Sequence, residues 1–134
     1  MREIKFRAWS KDLNKMFKVG QVTLEKGGWN YEPDDREYKG VCVPYQPSWV
    51  LMQFTGLYDK NKVPIYEGDI IRDNTLVKDV NTMIVIYENG GFFVDYSEEY
   101  KPLLAGVNHN CEVIGNVWEK SDMRWYRWKK SGEI

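Results

Sequence analysis

The chain has 134 residues, 43% of them apolar and 29% charged, with 19 Lys and Arg against 20 Asp and Glu. That composition is globular rather than disordered and fits one domain over residues 1–134, large enough to bury about two-thirds of the surface of its unfolded chain. A net charge of −1 excludes a global field that would hold a polyanion or an anionic membrane, so any nucleic-acid contact needs a local basic patch.

MREIKFRAW opens the chain with alternation. Ile4, Phe6 and Ala8 are expected on one face and Lys5 and Arg7 on the other, the period of a half-buried strand. The stretch also lacks the apolar core of a signal peptide, and no run reaches the ~20 apolar residues of a membrane helix. A polar turn over 10–15 leads to a second strand, MFKVGQVTLE, which Gly27-Gly28 is expected to end. Positions 30–48 hold three Pro, an acidic pair and scattered rings. They read as a long loop or lid with at most short strands.

VLMQFTG is the next strand. Val50, Met52 and Phe54 alternate with Leu51, Gln53 and Thr55, and Gly56 is expected to break it. YDKNKV forms a turn in which Asp59 and Asn61 bond to nearby backbone groups. Pro64 fixes φ at the entry to IYEGDIIRD. TMIVIYENGGFFVDY is the clearest local signal, because Asn89-Gly90 supplies the two positive φ angles of a type I′ hairpin between β-rich runs. EEYKPLLAG has room for one helical turn, limited by Pro102. CEVIGNVW is the last strand, and SDMRWYRWKK is expected to be a short helix over 121–131, capped by Ser121 and followed by Gly132. The expected fold is mainly β: one domain of six to eight short antiparallel strands, barrel-like of the SH3 or OB kind or a sandwich, with a short C-terminal helix.

LMQFTGLYDKNKVPIYEGDII, positions 51–71, invites a catalytic reading. Glu67 and Asp69 share a face if they lie on a strand, and paired carboxylates serve acid–base chemistry. The architectural reading outweighs it, because a Gly-Asp corner opening an apolar strand is turn chemistry and no His, Cys or Ser stands nearby in sequence. TGLYDKNK lacks the ligand spacing of a calcium loop.

The same segment resembles the central signature of the YopX family of phage and prophage proteins. MREIKFRAW and CEVIGNVWE match the flanking blocks in the right order, so the resemblance covers most of the chain. The chain departs from the pattern at Lys62, where members show the Gly of a DKNG turn, at Val63-Pro64, which replace a charged pair, and in its tail. The resemblance implies a small phage- or prophage-encoded protein in a bacterial cytoplasm and an assembly of identical chains. It brings no activity with it. Ile4, Phe6, Met52, Phe54, Ile70, Val113 and Ile114 read as core within these blocks, and Gly56, Gly68 and Gly115 as backbone punctuation.

The remaining sites are weaker. His109 and Cys111 in NHNC, with Cys42, lack the four ligands and paired spacings of a structural zinc site. A Cys111–His109 nucleophile pair has no orienting third group, and a strand Cys is expected to be buried and inert. Both thiols are expected free in a reducing cytosol. Asp34-Asp35 reads as solvated charge rather than a magnesium site, and no phosphate loop or hydrolase motif occurs. No metal, cofactor or catalytic residue is assigned, and the chain is expected not to be an enzyme.

The segment 118–130 holds three Trp, one Tyr and five Lys or Arg. Its candidate contact residues are Trp118, Arg124, Trp125, Tyr126, Arg127, Trp128, Lys129 and Lys130. Docking of the Trp face on the chain's own core weighs most, with Arg and Lys snorkelling. A subunit interface comes second, and a single-stranded nucleic-acid contact third, since rings stack on bases but no global field assists. The function expected from these observations is an accessory protein that self-assembles and binds a phage or host protein. The alternative is a small-barrel nucleic-acid-binding regulator.

Overall fold

A computed structural model describes residues 3–11, 13–25, 28–33, 49–76, 81–95 and 100–119. The chain is mainly β, with antiparallel pairing throughout. It divides into two compact units, and the chain passes from one to the other between Gln53 and Phe54.

The first unit contains β1 (Phe6–Ser10), β2 (Lys15–Glu25), β3 (Gly28–Pro33) and the start of β4 (Trp49–Tyr58). Its strand order is β3-β2-β1-β4. β1 is the hub, pairing Phe6–Ser10 with Val19–Lys15 on one side and with Gln53–Trp49 on the other. Ala8, Trp9, Phe17 and Met52 are buried. Ser10 ends β1, and its buried hydroxyl accepts the Leu13 N–H at 3.1 Å, which closes the polar turn into β2. Ile4, expected in the core, precedes β1 and is 59% exposed. Residues 30–33, expected within the long loop, are instead strand, paired with Thr23, Val22, Gln21 and Val19 of β2.

The second unit contains the end of β4, β5 (Pro64–Tyr66), β6 (Asp69–Asp73), β7 (Thr82–Glu88), β8 (Gly91–Asp95) and β9 (Cys111–Asn116), with 3₁₀ turns at Leu104–Gly106 and Asn108–Asn110. β4 does not stop at Gly56. It bulges there, because three residues of β4, 55–57, oppose the single Ile65 of β5 between the pairs Phe54↔Tyr66 and Tyr58↔Pro64. Gly56 carries the bend at φ +85°, and the Thr55 hydroxyl bridges it, donating to the Ile65 carbonyl at 2.7 Å and accepting the Leu57 N–H at 3.2 Å.

β6–β9 form a four-stranded sheet in the order β8-β7-β6-β9. The hairpin forms as the sequence requires, with Asn89 at φ 52° and Gly90 at φ 81° and Glu88 opposite Gly91. The sheet is apolar on both faces. Ile71, Met83, Val85, Val94 and Cys111 point to one cluster with Ile65 and Leu104, and Ile70, Ile84, Ile86 and Val117 form the other. One extra residue of β9 opposite the Ile70–Ile71 step places Val113 with the first cluster and Ile114 with the second.

Of the barrel-like or sandwich architectures expected from sequence, a closed barrel does not form among the described residues. β8 and β9 are the outer strands of the sheet, and each outer edge meets something other than the opposite strand. Pro102 and Leu103 lie along β8, through Val94 N–H to the Pro102 carbonyl at 2.9 Å and a bridge from Phe93 to Leu103. The 59–63 turn lies along β9. Edges covered this way are hindered from pairing with each other. The helix expected over 121–131 lies outside the described residues.

Candidate functional site

The Glu67–Asp69 corner is built as a structural joint. Gly68, at φ +86°, donates its N–H to the Val85 carbonyl at 2.8 Å and accepts the Val117 N–H at 2.9 Å. The corner is therefore stitched to β7 and to the chain just past β9. Asp69 is buried, and its Oδ2 accepts the Tyr66 N–H at 2.8 Å across the turn. Glu67 is in the turn rather than on β6, so the two carboxylates do not form the same-face strand pair considered above.

The 59–63 turn is built the same way. Asp59 is 5% exposed. Its Oδ1 accepts the N–H groups of Asn61 at 2.8 Å and Val63 at 2.9 Å, and its Oδ2 accepts the N–H of Val113 in β9 at 2.9 Å. Two backbone bonds close the turn, Asp59 N–H to Val63 O and Lys62 N–H to Asp59 O, and Lys60 N–H reaches the Cys111 carbonyl at 3.0 Å. Asn108 adds a clamp through its side-chain amide, which donates to the Tyr58 carbonyl at 2.8 Å. The local half of this arrangement was readable from Asp59 and Asn61. The bond to Val113, 54 positions away, had no sequence signal.

Lys62 sits at φ +65°. This explains the glycine that stands here in the family pattern, since a side chain in the left-handed region costs ~1–2 kcal/mol. Lys62→Gly removes that cost but adds unfolded-state entropy of similar size. It is expected to leave stability within about 1 kcal/mol of the parent, whereas Lys62→Val loses ~2 kcal/mol because a β-branched residue resists positive φ. Urea unfolding of the two variants checks the ordering.

His109 is exposed on the second 3₁₀ turn, and Cys111 opens β9 fully buried. The Cys111 thiol is free, and burial, aided by the neighbouring Asp73 charge, pushes its pKa up from an ordinary 9.0 to about 11. A neutral, buried thiol is a poor nucleophile. It is expected to resist alkylation in the native protein and to react on unfolding, as read by peptide mapping after iodoacetamide. Because the folded-state pKa is the higher one, its contribution to stability is complete below pH 9 and declines as pH rises towards 11. The loss is on the order of 2 kcal/mol, and Cys111→Ala is expected to flatten that part of the pH profile. Cys42, Asp34 and Asp35 lie outside the described residues, among which no three His, Cys, Asp or Glu side chains are grouped to hold a metal ion.

Arg72 and Glu112 face each other across β6 and β9, with Nη2 and Nε donating to Oε1 at 2.7 and 3.2 Å. The Arg72 hydrogen bonds hold the Glu112 carboxyl below its ordinary pKa. The pair joins strands at the surface. Of the candidate residues at the C-terminal end, Trp118 is half-buried and packs against the Ile70, Ile84, Ile86 and Val117 cluster. Its N–H and that of Glu119 are capped by Asn116 Oδ1 at 3.0 and 2.9 Å. Arg124, Trp125, Tyr126, Arg127, Trp128, Lys129 and Lys130 lie outside the described residues.

Large apolar side chains do stand in solvent, and sequence reasoning missed them. Tyr87 is 55% exposed, Tyr100 60% and Leu103 57%. Tyr87 is braced edge-on by Phe92, with ring centroids 5.2 Å apart, and Leu103 lies beside Phe93 of β8.

This geometry defines a small, mainly β protein whose signature residues are turn and sheet-edge fasteners. The family model for YopX protein matches residues 5–123, and the chain belongs to the YopX family. Two solved structures share its fold. Protein yopX from Bacillus subtilis is 22% identical, with a TM-score of 0.62, over 92% of this chain and 98% of that one. Protein EF1440 from Enterococcus faecalis is 23% identical, with a TM-score of 0.59, over 92% and 100%. No curated protein matches the chain.

Proposed function

We propose that this chain is a phage- or prophage-encoded accessory protein of the bacterial cytoplasm that has no catalytic activity of its own and works by assembling with copies of itself and with a protein partner. The exposed side chains of Tyr87, Tyr100 and Leu103 carry this reading, with Tyr87 braced by Phe92. Tyr is a favoured interface anchor, and held rings lose little entropy on contact. Two further observations support it. The carboxylates of Asp59 and Asp69 are spent on backbone N–H groups, and the Cys111 thiol is neutral and enclosed. No helix among the described residues is long and apolar enough to cross a membrane.

The test is absolute mass by light scattering after size exclusion. The full chain is expected to be an oligomer, and Tyr87→Ser with Leu103→Ser to be a folded species of lower mass by circular dichroism. A chain ending at Glu119 tests the contribution of the basic, aromatic segment that follows. A monomeric full chain at high micromolar concentration overturns self-assembly.

A further inference from the structure

A cavity of about 230 Å³ opens in the second unit between the end of β6, the start of β7 and the 100–107 segment. Leu76, Met83, Pro102 and Val107 line it, Tyr100 stands at 60% exposure on its wall, and Asp73 brings in a carboxylate. The size is informative. An apolar cavity of about 150 Å³ holds benzene, and pockets for drug-sized molecules begin near 300 Å³. This one fits a single ring or short alkyl chain with a small polar arm.

Asp73 decides the charge of that arm. It is 6% exposed. Its Oδ1 accepts the Thr75 N–H at 2.9 Å and the Thr75 hydroxyl at 2.5 Å. Its Oδ2 takes no hydrogen bond from a described residue. Two described cations are committed elsewhere: Arg72 is bound by Glu112 and Lys101 pairs with Glu88 at 3.6 Å. A largely buried carboxylate on an apolar wall favours a cation that donates a hydrogen bond. The face of a tyrosine ring favours the same charge.

We propose that this cavity is a binding site for a compact organic cation, an ammonium or guanidinium group on a short apolar or aromatic stem. Asp73 Oδ2 accepts from the cationic head, and Leu76, Met83, Pro102 and Val107 enclose the stem. Of the three side chains assigned to self-assembly, Tyr100 also lines this cavity, whereas Tyr87 and Leu103 do not.

Benzylamine and its neutral counterpart benzyl alcohol test the proposal by NMR titration of the full-length protein, read at the Met83 methyl and the Val107 amide. The amine is expected to bind about tenfold tighter than the alcohol, as a charge-assisted hydrogen bond exceeds a neutral one. Asp73→Asn keeps an oxygen for Thr75 and is expected to bring the two ligands within about twofold, because the charge is gone. Leu76→Trp, at the rim, blocks both without touching Asp73. Blocked lysine and arginine amides distinguish the source: tighter binding than benzylamine assigns the site to a basic side chain of a peptide, and weaker binding to a free amine. Equal affinity for amine and alcohol in the parent, or no shift at either position up to ~10 mM ligand, overturns the site, since 10 mM lies beyond any useful affinity.

Discussion

Asp59→Ala is expected to lower the unfolding free energy by about 3 kcal/mol, because three backbone N–H groups lose their acceptor at once and an unpaired buried donor costs ~1–3 kcal/mol. The N–H groups of Asn61 and Val63 recover part of that from water, since they sit in a surface turn. The Val113 N–H lies on β9 beneath the turn, and its partner comes only from Asp59. The expected shift in melting temperature is roughly 10 °C for a chain of this size. Asp59→Asn discriminates the two halves. Its single carbonyl oxygen can serve the local turn or β9, and its amide nitrogen then confronts a second N–H donor. It is expected to lose about half as much as alanine. Hydrogen exchange gives the spatial readout: the Val113 amide loses protection in Asp59→Ala while the β7–β8 hairpin amides keep theirs. If Asp59→Ala unfolds within ~0.5 kcal/mol of the parent, the side chain is not the fastener described here.

Ile71→Ala is expected to cost about 3–4 kcal/mol. Ile71 is fully buried at the centre of the sheet, in the cluster with Ile65, Met83, Val85, Val94, Leu104 and Cys111. Truncating a buried isoleucine removes its transfer energy and leaves a cavity that rigid strands cannot collapse into, and such changes cost 2–5 kcal/mol. Ile71→Val removes one methyl and is expected to cost ~1 kcal/mol. The graded series, followed by urea midpoint at constant slope, separates loss of packing from a change of fold. Ile71 follows the Glu67–Asp69 corner directly. The corner fixes which of Ile70 and Ile71 faces which cluster, so a register error there exchanges two buried side chains.

Together these effects explain why residues 51–71 look like a site in sequence without acting as one. Polar residues are dense there because a bulge, a tight turn and a corner follow one another, and each leaves backbone donors for a side chain to satisfy. Thr55, Asp59 and Asp69 do that work. A carboxylate that accepts two or three backbone N–H groups is well placed to hold a fold and poorly placed to take a proton from a substrate.

Local features were fully legible. The Asn89-Gly90 hairpin, the alternation of Met52 and Phe54 against Leu51 and Gln53, the Asx turn at Asp59 and the Gly68-Asp69 corner depend on φ preferences and side-chain reach within four residues, and the amino-acid sequence alone determines them. It also determines family membership, which three ordered blocks carry. What depended on the edges and ends of sheets was decided by the tertiary structure. Ile4 is apolar but lies before the start of β1 and stays exposed. Gly56 reads as a strand break but becomes a bulge because β5 pairs on both sides of it. The barrel reading failed because Pro102–Leu103 and the 59–63 turn cover the two outer strands, and nothing local to those strands encodes which segment arrives there. The cavity at Asp73 is the extreme case: its walls come from positions 73, 76, 83, 100, 102 and 107. Periodicity describes a residue's own strand, whereas an enclosed volume exists only once separate segments have packed around it.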